Sequence, residues 1–429
     1  MPMPYGEPSV VDRNDAITRL RRARTDSEHL ASALSPEDWM LQSMPEASPV
    51  KWNLAHTSWF FETFILKEYF DGYREFNPAF GYLYNSYYRG VGDMHPRGAR
   101  GDVSRPSAQD VLAYRAHVDS ALFDFIDTAR EEVFEKFTSL ICLGIAHEEQ
   151  HQELMLTDIK HAMASNPISP ELYPFPDQRT APNEPQALAW RQYREGLVTI
   201  GADPQKFHYD NEGPQHQVFL EAFEIANRAV TNGEYAEFIR DGGYRDSKLW
   251  FSDGWDFVRE HDIQRPNYWR GDGEDWREYT VFGERDIDAH APACHISFYE
   301  AAAYAAWAGA RLPTEFEWER ASADAINDGA FLKEGSPCVP APAAAGEGIS
   351  QMFGDVWEWT ASPYIAYPRY VPAAGAVGEY NGKFMSGQMV LRGGSCATPA
   401  GHIRPSYRNF FQPTARWQFS GVRLARDCT

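Results

Sequence analysis

Pro167, Pro170, Pro174, Pro176, Pro182 and Pro185 crowd a single stretch of this chain. Each ring fixes φ and removes a backbone donor, so neither a helix nor a central strand can run through it. The stretch reads as an extended linker over 166–190 that divides whatever folds on either side. A chain of 429 residues is long enough for two cores, and 43% hydrophobic with 14% aromatic residues can fill both. The two sides differ in texture. Residues 1–165 carry long helical periodicities, whereas 191–429 is rich in glycine and tryptophan, with short strand-like pieces such as Gly196–Ile200 and Val218–Phe223. The expectation is an α+β protein of two domains, a four-helix bundle followed by a domain with little regular structure.

In the first half, Ile17, Leu20, Leu30 and Leu34 recur at helical spacing over 11–35. A second helix starts at Ser48-Pro49 and runs through Phe61, setting His56 among Trp52, Trp59 and Phe60. A polar ring there is costly without a partner; a hydrogen-bonded core histidine and a metal ligand are both open. Val111, Tyr114, Val118, Leu122 and Ile126 mark a third helix over 107–136, and a fourth spans 137–163. The fourth carries His147 and His151, one turn apart on one face, so two imidazoles can reach one metal ion. Gln150 and the adjacent glutamates supply polar neighbours. Spacing alone leaves a metal pair and two satisfied core histidines both possible. Between these helices, 80–101 is an irregular stretch rich in tyrosine and arginine, a site wall or an aromatic-packed loop.

The run His147-Glu148-x-x-His151 also fits a zinc protease with Glu148 as general base. Its third ligand is wanting. Glu171 falls between Pro170 and Pro174, where no helix can carry it, and His161 lies about 15 Å further along the helix axis. A net charge of -21 leaves no basic surface for nucleic acid. No apolar run can span a bilayer, and Met-Pro-Met-Pro-Tyr-Gly-Glu has neither the basic nor the apolar part of a signal peptide. Five cysteines without CxxC spacing are no disulfide framework, and the expected location is cytoplasmic.

The second half becomes specific at Ala310-Arg-Leu-Pro-Thr-Glu-Phe-Glu-Trp318-Glu319, Gly354-Asp-Val-Trp-Glu-Trp359 and Leu391-Arg-Gly-Gly-Ser395. These runs resemble the formylglycine-generating-enzyme fold, a C-type-lectin-like variant. Enzymes of that activity hold copper between two cysteines downstream of Arg-Gly-Gly-Ser; here Cys396 has no partner before Cys428, which argues against it. Such a domain preceded by a DinB-like metal bundle resembles the sulfoxide synthases of ergothioneine biosynthesis over nearly the whole chain. These use non-heme iron(II) and O2 to join a thiol to C2 of the imidazole of Nα-trimethylhistidine (hercynine).

The resemblance implies a site. Its three iron ligands map to His56, His147 and His151. A proton donor maps to the Tyr87-Tyr88 pair, with Tyr88 the catalyst, and Gln150 to the hercynine imidazole. Asn409 maps to the hercynine carboxylate, and Phe410 or Phe411 suits its trimethylammonium. The branch using free cysteine binds the donor carboxylate through an arginine near the tyrosine pair, here Arg97. Ser386 and Gly387 are smaller than that branch expects, and a donor pocket changed in this way would admit a different nucleophile, which keeps a selenosugar, as in the related selenoneine synthases, as an alternative. DinB-like bundles also serve metal-dependent thiol transferases, the more distant alternative.

Overall fold

The Asp12 side chain accepts the Asp15 backbone N–H at 2.9 Å, and this cap opens helix α1, Arg13–Ser32, in the computed structural model. The structure describes residues 12–175, 186–271, 273, 275–325, 329–333 and 338–428. The N-terminal run Met1–Glu7 and, within the expected linker, Pro176, Pro182 and Pro185 lie outside the described residues. Helix α2, Val50–Phe61, is entered from Pro49, whose fixed φ suits the first turn. Helix α3, Ala108–Thr128, begins at a Ser107–Asp110 capping box, and α4 is Glu131–Ala164.

The third helix therefore ends well before the expected residue 136. Ala129 and Arg130 are extended, with ψ of 139° and 147°, and α4 starts at Glu131. No glycine or proline marks the break. Phe125 and Phe137 stack across it at 4.9 Å, so one apolar stripe is folded back on itself.

Helix α1 packs on α4, and α2 packs on both α3 and α4. A buried polar knot ties all four together. Glu148 of α4 accepts from Arg24 of α1 at 2.7 Å and from Arg115 of α3 at 2.9 Å. Arg24 also donates to Ser58, and Arg115 to Thr57 and the Leu54 carbonyl, all on α2. After α2 the backbone widens into a π-turn, Glu62–Leu66.

The chain divides into two units. The first runs to Ser165 and takes in Asp203–Asp210 and Val371–Lys383; the second holds Asn166–Ala202, Asn211–Tyr370 and Phe384 onward. In the second unit, strand β4 (Phe223–Ala226) lies between β1 (Trp190–Tyr193) and β12 (Ala425–Asp427), antiparallel to both. Strands β2 (Gly196–Ile200) and β3 (His216–Leu220) form a ribbon, and β5 (Trp269–Arg270), β6 (Arg277–Thr280) and β7 (Gly283–Asp286) a small sheet. The fourth sheet has the order β10 (Asn409–Phe411), β9 (Met389–Arg392), β8 (Trp357–Pro363), β11 (Ser420–Gly421). The expected single strand Val218–Phe223 is thus two, parted at Glu221-Ala222. Helices Asn232–Arg240 and Phe298–Trp307, each opened by a capping box, lie in this unit together with Ser252–Glu260 and Glu315–Ser322.

The core of this unit gathers Tyr193, Leu220, Phe223, Ile225, Trp318 and Met352. The signature runs supply its ion pairs. Arg423 pairs with Glu358 at 2.7 Å, Arg408 with Glu315 at 2.7 Å, and Arg392 with Glu319, while the Trp318 indole donates to Glu358 at 2.6 Å. Gly393 sits at φ +100°, and a Cβ there would meet the Met352 carbonyl at 2.3 Å. None of the described helices is long and apolar enough to cross a membrane.

Candidate metal centre

Helix α4 approaches α2 closely because Gly144 has no side chain: a Cβ there would lie 2.3 Å from the Phe61 ring. A glycine inside a helix costs roughly 1 kcal/mol against alanine, so its place here reflects the contact. One turn on, His147 and His151 come from α4 to meet His56 of α2, with ring centroids 4.6–4.9 Å apart. One ring nitrogen from each lies within 4.8 Å of the other two, and all three residues are buried.

Two of the rings have their tautomer fixed. His56 Nδ1 donates to the Tyr84 carbonyl at 2.6 Å, and His151 Nδ1 donates to Asn53 Oδ1 at 2.8 Å. Each therefore carries its lone pair on Nε2. His147 Nδ1 is buried with no hydrogen-bond partner among the described residues. Burial is the main cause that holds His147 down at about 4 and the other two well below the usual histidine range, with the neighbouring histidines adding to the shift in His56 and His151. At neutral pH the cluster is three uncharged imidazoles with a ring nitrogen that no protein group satisfies. That donor set fits a divalent transition metal of borderline softness.

His56 is also clamped flat between two indoles, Trp52 at 4.5 Å and 16°, and Trp59 at 5.4 Å and 15°. The face of α4 that carries Glu148 is turned elsewhere. Its carboxylate is held down at about 2 by Arg24 and Arg115 against the opposing effect of burial, so it serves as no protease-type base.

The structure gathers several sequence candidates in this first unit. Tyr88 is buried, its ring 5.6 Å from Trp59. Tyr87, at φ +66°, accepts from Arg97, which also donates to the Glu46 carbonyl. Gln150 shares a hydrogen bond with the phenol of Tyr380, a residue the sequence reading did not select. Tyr380 lies 6.2 Å from Tyr87, on the one-turn helix Glu379–Gly382, whose Glu379 accepts the Gly90 backbone N–H at 2.7 Å. Its signal was absent because nothing local to 371–383 links it to the bundle. Arg100 was missed as well. Its guanidinium is buried 3.3 Å over Trp52, bonded to Ser48 and Ser86, and no carboxylate pairs with it among the described residues.

The remaining candidates belong to the second unit. Asn409 Oδ1 accepts the Phe410 backbone N–H at 2.9 Å. Phe410 stacks on Tyr364 at 4.1 Å and on Phe384 at 5.7 Å, while Phe411 lies 6.1 Å from Trp417. Ser386 and Gly387 form an exposed turn, with Gly387 at φ +68° and open space around it. Cys396, without a cysteine partner nearby in sequence, is a free thiol hydrogen-bonded to the free Cys338; burial first, then this neighbour, pushes the Cys396 thiol up.

The DinB superfamily matches residues 19–155, and the sulfatase-modifying factor enzyme 1-like domain matches 191–336 and 336–428. Fold and site thus define the two-domain class in which a DinB bundle with a three-histidine group precedes a sulfatase-modifying-factor domain. The hercynine oxygenase of Mycolicibacterium thermoresistibile is 35% identical, covering 89% of this chain and 88% of that protein. The hercynine oxygenase of Mycobacterium tuberculosis is also 35% identical, covering 95% and 97%. The formylglycine-generating enzyme of Mycobacterium tuberculosis is 30% identical, covering 48% of this chain and 86% of that one. The chain belongs to the hercynine oxygenase family, and it is an enzyme of oxygenase type.

Proposed function

We propose that this enzyme is a mononuclear non-heme iron(II), O2-dependent synthase that joins a thiol, free cysteine, to C2 of the hercynine imidazole to give a sulfoxide. The observation that carries the reading is the neutral three-histidine group, with His56 and His151 each locked by an Nδ1–H donor bond. Iron on His56, His147 and His151 supplies the O2 chemistry and lowers the pKa of the sulfur donor.

The protein's own part is positioning and proton supply. Gln150 orients the hercynine imidazole; Asn409 takes its carboxylate, and Phe410 or Phe411 faces the trimethylammonium. Arg97 and Arg100 bind the carboxylate of cysteine. A buried guanidinium without an acidic partner supports that role for Arg100, whose pKa burial lowers to about 9. Beside Tyr87, whose oxygen accepts from Arg97, the proton donor is drawn from two further phenols, Tyr88 and Tyr380. Burial raises both, so each keeps its proton at neutral pH until the reaction draws on it.

A second reading differs only in the donor. The small, exposed Ser386-Gly387 turn favours a bulkier nucleophile such as a selenosugar, giving a C–Se bond. The test is an aerobic assay with Fe(II) and hercynine, run with cysteine, γ-glutamylcysteine or selenoglucose and read by mass spectrometry. A hercynyl-cysteine sulfoxide supports the first reading, a selenium adduct alone the second, and no adduct from any donor overturns both. In the same assay Tyr88→Phe and Tyr380→Phe are compared. The donor is the residue whose loss cuts turnover on the order of 10²–10⁴-fold without loss of iron.

A further inference from the structure

Glu62 is 3% exposed, and among the described residues no lysine or arginine neutralises it. It is held instead by two phenols and a backbone N–H: Tyr114 donates to Oε2 at 2.6 Å, Tyr73 to Oε1 at 2.7 Å, and Phe76 N at 3.2 Å. A buried carboxylate is costly, and a glutamine could staple the same segments without desolvating a charge. What the carboxylate adds is a proton acceptor in contact with two phenols. It also opens the π-turn that follows the His56 helix, a distortion frequent at functional sites.

The cluster is joined to the histidine site by one hydrogen bond to the Tyr84 backbone and by close aromatic groups on either side of it. His56 is parallel to Trp52 at 4.5 Å and to Trp59 at 5.4 Å. Its Nδ1 donates to the Tyr84 carbonyl. The Tyr84 ring lies parallel to Tyr114 at 6.2 Å, with Phe80 against both at 5.1 and 4.9 Å. Tyr73, at the far end, is half-buried and within reach of solvent. Electrons pass readily between aromatic groups in contact, and a phenol loses one most easily when its proton has somewhere to go.

We propose that Tyr114, Glu62 and Tyr73 form a redox-active cluster that takes up oxidising equivalents left at the three-histidine site when O2 reacts there without a sulfur donor. The inference rests on the metal and O2 reading above. In the step, the Tyr114 ring gives one electron to the oxidant, which is reduced by one. The Tyr114 O–H bond breaks, and the proton passes to Glu62 Oε2, leaving a neutral phenoxyl and a carboxylic acid. A soluble thiol reaching Tyr73 passes one electron through it to the Tyr114 phenoxyl, its own proton going to water and the thiyl radical so formed pairing with a second to give a disulfide, and the proton on Glu62 returns to Tyr114.

The test has two arms on the full chain, with Tyr114→Phe, Glu62→Gln and the double variant Tyr73→Phe/Tyr114→Phe, which keep ring and side-chain shape. In the first, the metal-free protein is oxidised by a flash-generated ruthenium tris-bipyridine oxidant, and the phenoxyl absorption is followed. In the second, the iron-loaded protein meets O2 without donor, and both the radical signal by electron paramagnetic resonance and the surviving turnover are read. We expect each variant to lose the long-lived phenoxyl severalfold in both arms and to inactivate severalfold faster without donor, with the initial rate on hercynine and cysteine unchanged. Equal phenoxyl yield in the parent and the double variant in the flash arm overturns the proposal. A parent chain that holds no iron overturns the metal reading instead, and the flash arm still decides the cluster.

Discussion

Two neighbouring residues of one helix meet opposite environments. His147 and Glu148 are both buried, yet Glu148 is ionised and satisfied on both oxygens, whereas His147 is neutral and its Nδ1 has no partner among the described residues. The Glu148 side of α4 is where Arg24, Arg115, Thr57 and Ser58 lock four helices to one another. The His147 side meets α2 through rings, His56 and Phe60 among them, and through the Asn53 amide, with no ion pair to the histidines among the described residues. A folded chain tolerates few buried polar atoms without partners. One side of α4 has spent its hydrogen bonds on architecture, and the other has kept lone pairs for a ligand.

The sharpest break in that contrast is His151→Ala. It removes one of the three proposed ligands and should abolish metal loading and turnover while the bundle keeps its helicity. Metal analysis of the purified variant, with circular dichroism alongside, checks it; a variant that retains metal at full occupancy would move the site elsewhere. Glu148→Gln attacks the other side. It takes from two buried guanidinium groups the carboxylate they share, leaving Arg24 to Asp119 and Arg115 to Glu28, and removing one partner of such a network costs up to about 3–5 kcal/mol. Denaturant unfolding should show that loss, with the variant still loading metal where it remains folded. A fall in metal affinity without a fall in stability would mean that the two sides are not separate.

How much of this was legible follows the same division. The i,i+4 histidine pair and the proline before α2 are local signals, and each stands where the residues place it. The Glu148 knot was not legible, because Arg24 and Arg115 lie on amphipathic helices where a charge ordinarily marks the solvated face. Tyr380 was hidden for the same kind of reason: its partner Gln150 is far away in sequence. The signature runs of the second unit were recognised without their meaning. Glu315, Glu319, Glu358 and Arg392 are there as buried ion pairs that hold loop-rich structure together, and no reaction need touch them. The break between α3 and α4 carries no turn residue at all, so periodicity ran through it.

A finer cut sharpens the contrast at one bond. Asn53 accepts the Nδ1 proton of His151 and so fixes which nitrogen faces the other two histidines. Asn53→Ala should lower metal affinity on the order of 10–100-fold, the usual cost of losing such a partner, with little change in unfolding free energy. Competition with a chelator of known affinity measures it. An unchanged affinity would mean that packing against Trp52, 6.4 Å from His151, orients the ring by itself.

Acid separates the two sides by pH rather than by mutation. Both groups have folded pKa values below their unfolded ones, so both contributions are complete above the unfolded pKa and fade as pH falls towards the folded one. For His147 that window runs from 6.5 down to about 4, because the unfolded chain takes up a proton that the buried ring refuses. For Glu148 it runs from 4.5 down to about 2, because the arginines hold the carboxylate ionised long after it would protonate in the unfolded chain. Unfolding free energy of the metal-free protein, measured from pH 7 downward, should therefore decline first through the histidines and only later through the knot. In Glu148→Gln the lower decline should shrink while the upper one stays. If instead the upper decline vanishes with Glu148, the neutrality of His147 depends on the carboxylate beside it, and the two sides of the helix form one electrostatic unit.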